Sequence, residues 1–340
     1  MTLPSVPLSV LDLAPVPQGS TPADALRNTT ELARHTERLG FNRYWLAEHH
    51  NMTGIASAAT AVVIGHVAAA TSSIRVGAGG IMLPNHAPLV IAEQFGTLES
   101  LFPGRIDLGL GRAPGTDQRT ARALRRNLAS SDDSFPQDVA ELQFYFAPPQ
   151  ANQPVRAVPG AGLDVPIWLL GSSLYSAELA AHLGLPFAFA SHFAPRFLMQ
   201  AIDLYRSRFR PSAALDKPYV MVGANAIGAD SDDEAQFLLR SLRLRFAAMA
   251  RGVRGTLPPP EDFRESDWTA AELAFADESL SCAAVGATSS MATQLSALAA
   301  QTGADEIILT SQIFDHQARL HSYEILAQAW DLAPLGASGR

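Results

Sequence analysis

The chain has 340 residues, of which 47% are hydrophobic, and a formal net charge of −8 at pH 7. This composition suffices for the core of one large domain or two small ones, and the acidic balance without a Lys/Arg run disfavours nucleic acids and anionic membranes as partners. The single cysteine, Cys282, excludes an intrachain disulfide and Cys-based zinc patterns, which favours a cytoplasmic protein.

Neither the N-terminus nor any internal segment predicts a targeting or membrane element. Residues 1–13 carry no basic region and no small-residue cleavage site, so we expect no secretory signal. The longest apolar stretch, residues 56–70, contains His66 and is too short to cross a bilayer.

Apolar strand candidates alternate with helical patterns through the first third of the chain. A helix opened by Pro22 and ended by Gly40 is typical of this alternation. The predicted strands are 8–13, 41–47, 74–79 and 106–110, and the predicted helices are 22–39, 56–70 and 88–101.

The alternation resumes in the second half with strands 166–170, 187–191, 219–227 and 306–310 and helices 175–183, 195–209, 232–250 and 316–330. Eight strands alternating with helices favour an α/β fold of one domain over residues 1–340, a closed (β/α)8 TIM barrel. Two segments interrupt the pattern. Residues 129–164 form an insertion after strand 4, and residues 251–282, before strand 8, form a candidate lid because long loops in compact domains are usually functional or disordered.

Ionisable and small residues follow four of the predicted strands. In a parallel barrel the carboxyl ends of the strands form the functional face, so we expect these groups to converge. They are Glu48-His49-His50, Gly77-Ala78-Gly79-Gly80, Gly109-Leu110-Gly111-Arg112 and Gly171-Ser172-Ser173.

The cluster of Glu48, His49 and His50 could hold a proton relay or a metal, or the two imidazoles could be a structural pair. Adjacent side chains of an extended strand point to opposite faces, and no His-x-His pair is present, so zinc is disfavoured. Further ligands for a metal could still come from His86, His192, His316 and His321.

The segment Gly171-Ser172-Ser173 precedes a predicted helix and could cradle a phosphate with Arg112, since a helix N-terminus offers free N–H groups. The alternative is that one of the serines is an ordinary N-cap. Gly79 and Gly80 would let a flat ligand approach the backbone, or they form a tight turn. The Gly109-x-Gly111 pair lacks the third glycine of a dinucleotide-binding fingerprint.

Several short motifs follow one another in a fixed order along the chain. They are Gly40-Phe-x-x-Tyr44-Trp45-Leu-x-Glu48-His49-His50, Val76-Gly-x-Gly-Gly80-Ile-x-Leu-Pro84, Glu93-Gln94-x-x-x-Leu98, Pro103-Gly104-Arg105 through Gly111-Arg112, Gly171-Ser172-Ser173, Phe189 through Phe193, and Leu309-Thr-Ser-Gln-x-x-Asp315-His316-x-x-Arg319. In their order and spacing, over nearly the whole chain, they resemble the bacterial luciferase-like, flavin-dependent monooxygenase family, and within it a non-luminous bacterial subgroup close to the luciferase α-subunit.

This resemblance implies a TIM barrel that binds reduced FMN at its C-terminal face, with the phosphate held by Arg112, Gly171, Ser172, Ser173 and the helix start near Tyr175. The flavin ring would lie against Gly79-Gly80, whose peptide is cis in relatives. His49 matches the family's catalytic base, with Glu48 and His50 beside it, and an imidazole suits proton transfer near neutral pH.

The implied activity is oxidation of a small organic substrate by O2, with reduced FMN supplied by a separate reductase. Two positions depart from luciferase. In the implied cofactor site, Leu110 stands where luciferase has a reactive cysteine, and Gly171 stands where it has an acid near the phosphate. We therefore predict no light emission.

Three alternatives remain at this point. An F420-dependent oxidoreductase shares the barrel, although the tail of F420 would favour a more basic rim. A metal-dependent hydrolase and a non-catalytic flavin-binding protein are the others. We also expect a homodimer through helices 56–70 and 88–101, which carry more apolar residues than one face needs; deep packing against the barrel is the competing explanation.

Overall fold

The computed structural model describes residues 6–113, 117–124 and 134–333 and confirms the predicted (β/α)8 TIM barrel. Eight parallel strands close on themselves, since β1 pairs with β9 and β6 pairs with β7. The barrel strands are β1 Leu8–Asp12, β2 Arg43–Leu46, β3 Arg75–Met82, β4 Ile106–Gly111, β5 Ile167–Gly171, β6 Phe187–Phe189, β7 Val220–Gly228 and β9 Glu306–Thr310.

Helices surround these strands. They are α1 Pro22–Arg38, α2 Thr60–Ala70, α3 Pro88–Leu101, α4 Gln118–Leu124, α5 Phe135–Phe146, α6 Leu174–Leu183, α7 Leu198–Arg208, α8 Asp232–Ala250, α9 Ala270–Ser279, α10 Thr288–Thr302 and α11 His316–Ala329. Among the described residues, no helix is both long enough and apolar enough to cross a membrane.

Two elements between the candidate lid and β9 were not predicted. A three-residue strand, β8 Ala284–Gly286, pairs in parallel with the carboxyl-terminal end of β7, and α10 follows it. The strand is shorter than a sequence pattern can reveal. The helix buries a narrow stripe of Met291, Leu295 and Ala299, so its sequence lacks a broad apolar face.

The two interruptions are partly structured. Part of the insertion 129–164 lies outside the described residues, and the described part contains α5. The candidate lid 251–282 contains α9, which packs against α8. Backbone hydrogen bonds of Leu257 to Val16 (2.9 Å) and Gln18 (2.8 Å) attach this segment to the loop after β1.

Side chains inside the barrel form layers that follow from the alternation of strand residues. At the amino ends of the strands lies a charged network. Asp107 accepts hydrogen bonds from Arg43 (2.8 Å) and Arg75 (2.6 Å), and Glu306 accepts from Arg43 (3.0 Å) and Tyr219 (2.9 Å). We call these five residues the lower network.

Above the lower network lies an apolar layer whose largest members are two indoles. The rings of Trp45 and Trp168 meet edge to face with centroids 5.2 Å apart, and Trp45 Nε1 donates to Asp107 at 3.0 Å. Leu11, Met221 and Ile308 complete this layer. The indoles therefore separate the charged end of the barrel from its carboxyl end.

Candidate functional site

A cavity of about 550 Å³ occupies the carboxyl end of the barrel, above the two indoles. Its walls are strand ends, so the fold brings the predicted groups together. Six glycines among the described residues line it and leave room that side chains would fill. The glycines in the wall are Gly79, Gly80, Gly111, Gly171, Gly223 and Gly255.

Most of the predicted site residues line this cavity. They are His49, Gly79, Gly80, Arg112, Gly171, Ser172 and Ser173. The structure places four others outside the wall: Glu48, His50, Leu110 and Tyr175.

Leu110 lies outside the wall because strand residues alternate. Its neighbours Gly109 and Gly111 take the inward positions of β4, whereas the fully buried Leu110 side chain packs in the core between strands and helices. The Leu110 side chain therefore cannot contact a ligand in the cavity directly.

Glu48 and His50 point away from the cavity for the same reason, on either side of His49. The buried Glu48 carboxylate lies 2.7 Å from Nε2 of His50 and 2.9 Å from Nε2 of His86, and it accepts the backbone N–H of Met82 at 3.0 Å. Burial raises the pKa of Glu48, but the hydrogen bond and charge of His86, with the hydrogen bonds of His50 and Met82, lower it overall.

The spacing of Glu48, His50 and His86 could accommodate a metal ion. An ionised carboxylate only accepts hydrogen bonds, so it pairs with the tautomers of His50 and His86 that carry a hydrogen on Nε2. A metal would need a lone pair on those nitrogens. The three groups are thus satisfied without an ion, and they tie the end of β2 to the segment after β3.

The wall formed by β4, β5 and α6 has the features of an anion site. Ser173 is the N-cap residue of α6, but its side chain makes no capping hydrogen bond. This differs from α8, where Ser231 accepts from Glu234 N–H. The ordinary N-cap alternative is therefore not realised, and the first turn of α6 keeps free N–H groups beside the cavity.

Arg112 extends this wall at the end of β4. Its guanidinium lies over the ring of Tyr175, 4.2 Å from the ring centroid. Tyr175 is therefore a support for Arg112 rather than part of the cavity wall. A stacked arginine beside an uncapped helix start is well suited to bind a phosphate.

The peptide between Gly79 and Gly80 is cis, as the resemblance implies. The pairing of β3 with β4 shifts register between Ala78 and Ile81, so this peptide lies at an irregular part of the wall. A Cβ on Gly79 would lie 2.8 Å from Leu11 Cδ1 and 3.1 Å from the Trp45 side chain. A side chain at this position would therefore require Leu11 and Trp45 to shift.

Two imidazoles line the cavity, His49 after β2 and His192 after β6. Burial and, as the smaller cause, repulsion from His49 together lower the pKa of His192 to about 4. His192 is therefore neutral at pH 7. It belongs to a motif noted above, but sequence reasoning considered it only as a metal ligand. Its place directly after a strand was the signal for a cavity position.

The wall formed by α8 and β9 carries a cation that sequence reasoning missed. Arg245 of α8 lines the cavity and donates to Gln312 Oε1 at 2.6 Å, just after β9. Burial lowers the pKa of Arg245 to about 10, so it stays protonated at pH 7. Leu242, Phe246 and Met249 line the cavity beside it.

The candidate lid contributes Arg254 and Gly255 to the cavity wall. A Cβ on Gly54 would lie 2.0 Å from the carbonyl oxygen of Gly255, so the loop after β2 and the lid segment touch. Behind them, Arg251 pairs with Glu272 at the start of α9 and lies 4.2 Å from the Trp268 ring centroid. The segment thus covers one side of the cavity.

A comparison with protein-family models matches residues 6–306 to the luciferase-like monooxygenases. The chain belongs to the luciferase-like monooxygenase family. It is 56% identical over 325 residues to a luciferase-like monooxygenase of Escherichia coli K12, covering 96% of this chain and 97% of that protein.

Two further proteins are similar to this chain. The crystal structure of apo-MsnO8 superimposes with a TM-score of 0.87 at 37% identity, covering 97% of this chain and 99% of that one. The N-acetyl-S-alkylcysteine monooxygenase of Bacillus subtilis is 40% identical over 187 residues, which is 54% of this chain and 56% of that protein.

Proposed function

We propose that this luciferase-like monooxygenase is non-luminous and uses reduced FMN and O2 to oxidise a small organic substrate. The observation that carries the proposal is the anion site at the carboxyl end of the barrel. There Arg112 and the uncapped start of α6 flank a cavity whose floor, the indole layer, is apolar. A dianionic phosphate attached to a flat ring system matches this division.

The residues present fit FMN. Arg112, Ser172, Ser173 and the first N–H groups of α6 would hold the phosphate, since a helix N-terminus and a guanidinium both favour a dianion. Gly79, Gly80 and Gly111 give the ring an approach that no side chain blocks. The absence of a carboxylate from the described cavity wall removes the repulsion that an anionic cofactor would otherwise meet.

Reduced FMN supplies the electrons that activate O2. We propose that His49 takes or holds a proton at the reacting centre, because its imidazole lines the cavity and imidazole is the side chain best suited to proton transfer at neutral pH. Glu48, bonded to His50 and His86, would fix the end of β2 and so position His49. The indole layer would keep water out from below.

We propose that a separate reductase delivers the reduced FMN, as the family resemblance implies. The runner-up cofactor is F420, which also carries a phosphate. Three arginines in the described cavity wall, Arg112, Arg245 and Arg254, make the site more basic than the sequence suggested and are compatible with its acidic tail.

The test is an anaerobic titration of the purified protein with reduced FMN and, separately, with reduced F420, followed by admission of air. We expect saturable binding of reduced FMN and a flavin oxidation after air whose spectrum and rate differ from those of free flavin. Binding of F420 alone would move the protein to the F420-dependent enzymes. Binding of neither would contradict the proposal.

We also propose a homodimer through α2 and α3. Apolar side chains on these helices stay exposed in the single chain: Val62 is 73% exposed, Val90 45% and Leu101 64%. Exposed apolar side chains on neighbouring helices are typical of interaction surfaces. Sedimentation velocity should give a dimer that Val62→Asp dissociates, and a monomer for the unmodified protein at micromolar concentration would contradict this.

A further inference from the structure

The cavity of this acidic chain carries a net positive charge. Its described wall contains Arg112, Arg245 and Arg254 but no aspartate or glutamate. The whole chain, in contrast, has a formal net charge of −8. A concentration of unopposed cations in an otherwise acidic protein indicates an anionic ligand.

The cations lie on opposite walls. Arg112 directly follows β4, while Arg245 is hydrogen-bonded to Gln312 just after β9. In the closed order of the barrel, β4 and β9 are four strands apart in either direction, which is as far as eight strands allow. A single phosphate on the β4–β5 wall therefore leaves Arg245 without an anion.

Arg245 has the environment of a ligand-binding arginine rather than a structural one. Among the described residues it has no carboxylate partner; the hydrogen bond that it makes goes to the neutral amide of Gln312. Two other interior arginines are, in contrast, paired with carboxylates: Arg43 with Asp107 and Arg319 with Asp12. A partly desolvated guanidinium without a counter-ion is costly, and an incoming anion would offset that cost.

The surroundings of Arg245 define the rest of the ligand. Along α8, Leu242, Phe246 and Met249 line the cavity beside it. Met52 and Ile55, from the loop after β2, line it as well. A small molecule with one anionic end and a short apolar body would satisfy both the guanidinium and this surface.

We propose that the substrate of this protein is a small organic anion, a carboxylate or sulfonate with a short apolar body, and that Arg245 binds its charged group. This rests on the proposed function, in which the cofactor phosphate occupies the Arg112 wall. Arg245 then selects the substrate, and Arg254, in the segment covering the cavity, adds charge where that substrate enters.

The test compares binding of hexanoate, hexane-1-sulfonate and 1-hexanol by calorimetry, to the full-length protein alone and loaded with oxidised FMN. The variants are Arg245→Gln, Arg245→Lys and, as a matched control, Arg240→Gln, an exposed arginine of the same helix. Circular dichroism melts check that each variant is folded. The two acids distinguish carboxylate from sulfonate as the preferred group.

We expect one or both acids to bind at least about tenfold more tightly than the alcohol, as a charge-assisted bond to arginine predicts. Arg245→Gln should abolish this preference, Arg245→Lys should keep part of it, and Arg240→Gln should leave it unchanged. Affinity for FMN should be unaffected by Arg245→Gln.

The proposal is overturned if the preference for the acids survives in Arg245→Gln, if no acid binds better than the alcohol, or if Arg245→Gln weakens cofactor binding instead. The last outcome would assign Arg245 to the cofactor, as expected for the tail of F420. If FMN fails to bind while the unloaded protein keeps its Arg245-dependent preference for acids, the proposed function fails and the anion site stands.

Discussion

The two ends of the barrel interior both contain buried or partly buried arginines but treat them in opposite ways. In the lower network Arg43 and Arg75 converge on Asp107, and Arg43 also contacts Glu306. In the cavity wall no carboxylate is found among the described residues beside Arg112 or Arg245. Both ends obey the same electrostatic rule, with neutralisation by the protein itself at one end and by ligands at the other.

This difference indicates that the charges at one end of the barrel stabilise the fold, whereas those at the other end serve ligand binding. Charges that are paired within the fold resist removal, because deleting one partner leaves the other buried and uncompensated. Charges that await a ligand cost stability when the ligand is absent, so removing them should impair binding and spare the fold. The predictions below test this division in order of decreasing effect.

Replacing His49 with Asn should have the largest effect. We expect the rate of substrate oxidation to fall by about 10²–10⁴-fold, the usual contribution of a general acid or base, while affinity for reduced FMN and the unfolding free energy change little. Single-turnover kinetics after anaerobic loading measure the effect. His182→Asn, an exposed histidine, is the matched control. An equal loss of oxidation rate in both variants would show that His49 has no specific role in the reaction.

Replacing Asp107 with Ala should destabilise the fold by about 3–5 kcal/mol, because Arg43 and Arg75 then lose their shared counter-ion inside the barrel. Urea unfolding measures this. Asp277→Ala breaks the exposed pair with Arg243 and should cost about 1 kcal/mol or less. If the two variants were equally stable, the lower network would not be a stabilising element.

Acid should selectively weaken the buried pair of Asp12 and Arg319, whose atoms lie 2.7 Å apart. Burial raises the pKa of Asp12, but attraction to Arg319 and hydrogen bonds from Tyr44, Arg319 and Thr29 lower it overall. A carboxyl group with a lowered folded pKa stabilises the fold above its unfolded pKa of about 4 and loses that contribution as the pH falls further.

The matching experiment follows unfolding of the unmodified protein and Asp12→Asn between pH 7 and pH 3. At pH 7 the unmodified protein should be more stable by about 2 kcal/mol, the value of charge-assisted hydrogen bonds. The gap should stay constant down to about pH 4 and shrink below it. A gap that widens in acid would contradict the lowered pKa.

Replacing Tyr175 with Leu should have the smallest effect. The ring supports Arg112 by a cation–π contact of about 0.5–1 kcal/mol, so affinity for reduced FMN should drop by about two- to fivefold without loss of stability. Phe237→Leu removes a comparable ring beneath the exposed Arg240 and should leave FMN affinity unchanged. An unchanged affinity in Tyr175→Leu would show that the stack does not position Arg112.

The strands and most helices could be predicted because apolar runs and terminal glycines are local signals, as at Gly40 after α1. The residues at the carboxyl ends of the strands could be located in the same way, because the end of a strand can be recognised without knowing which strands pair with it. It did not reveal which way each side chain points. Glu48, His49 and His50 formed one cluster in the sequence, yet only His49 faces the cavity.

Arg245 was missed because an arginine within a long helix is usually a solvated residue. A closer signal was present: Leu242, Phe246 and Met249 repeat at helical spacing, and Arg245 lies on the same face. A lone cation on an apolar helix face predicts either a buried pair or a ligand site. The distinction requires the three-dimensional neighbours, here Gln312 across from it.

The most direct test of the division between paired and ligand-directed charges is the affinity of reduced FMN for Arg112→Gln and Arg245→Gln, titrated side by side under anaerobic conditions. We predict that Arg112→Gln weakens binding by about tenfold or more, as loss of a charge-assisted phosphate contact implies, while Arg245→Gln binds like the unmodified protein. If Arg112→Gln kept its affinity and Arg245→Gln lost it, the cofactor phosphate would lie at Arg245 rather than at Arg112. That result would contradict the account.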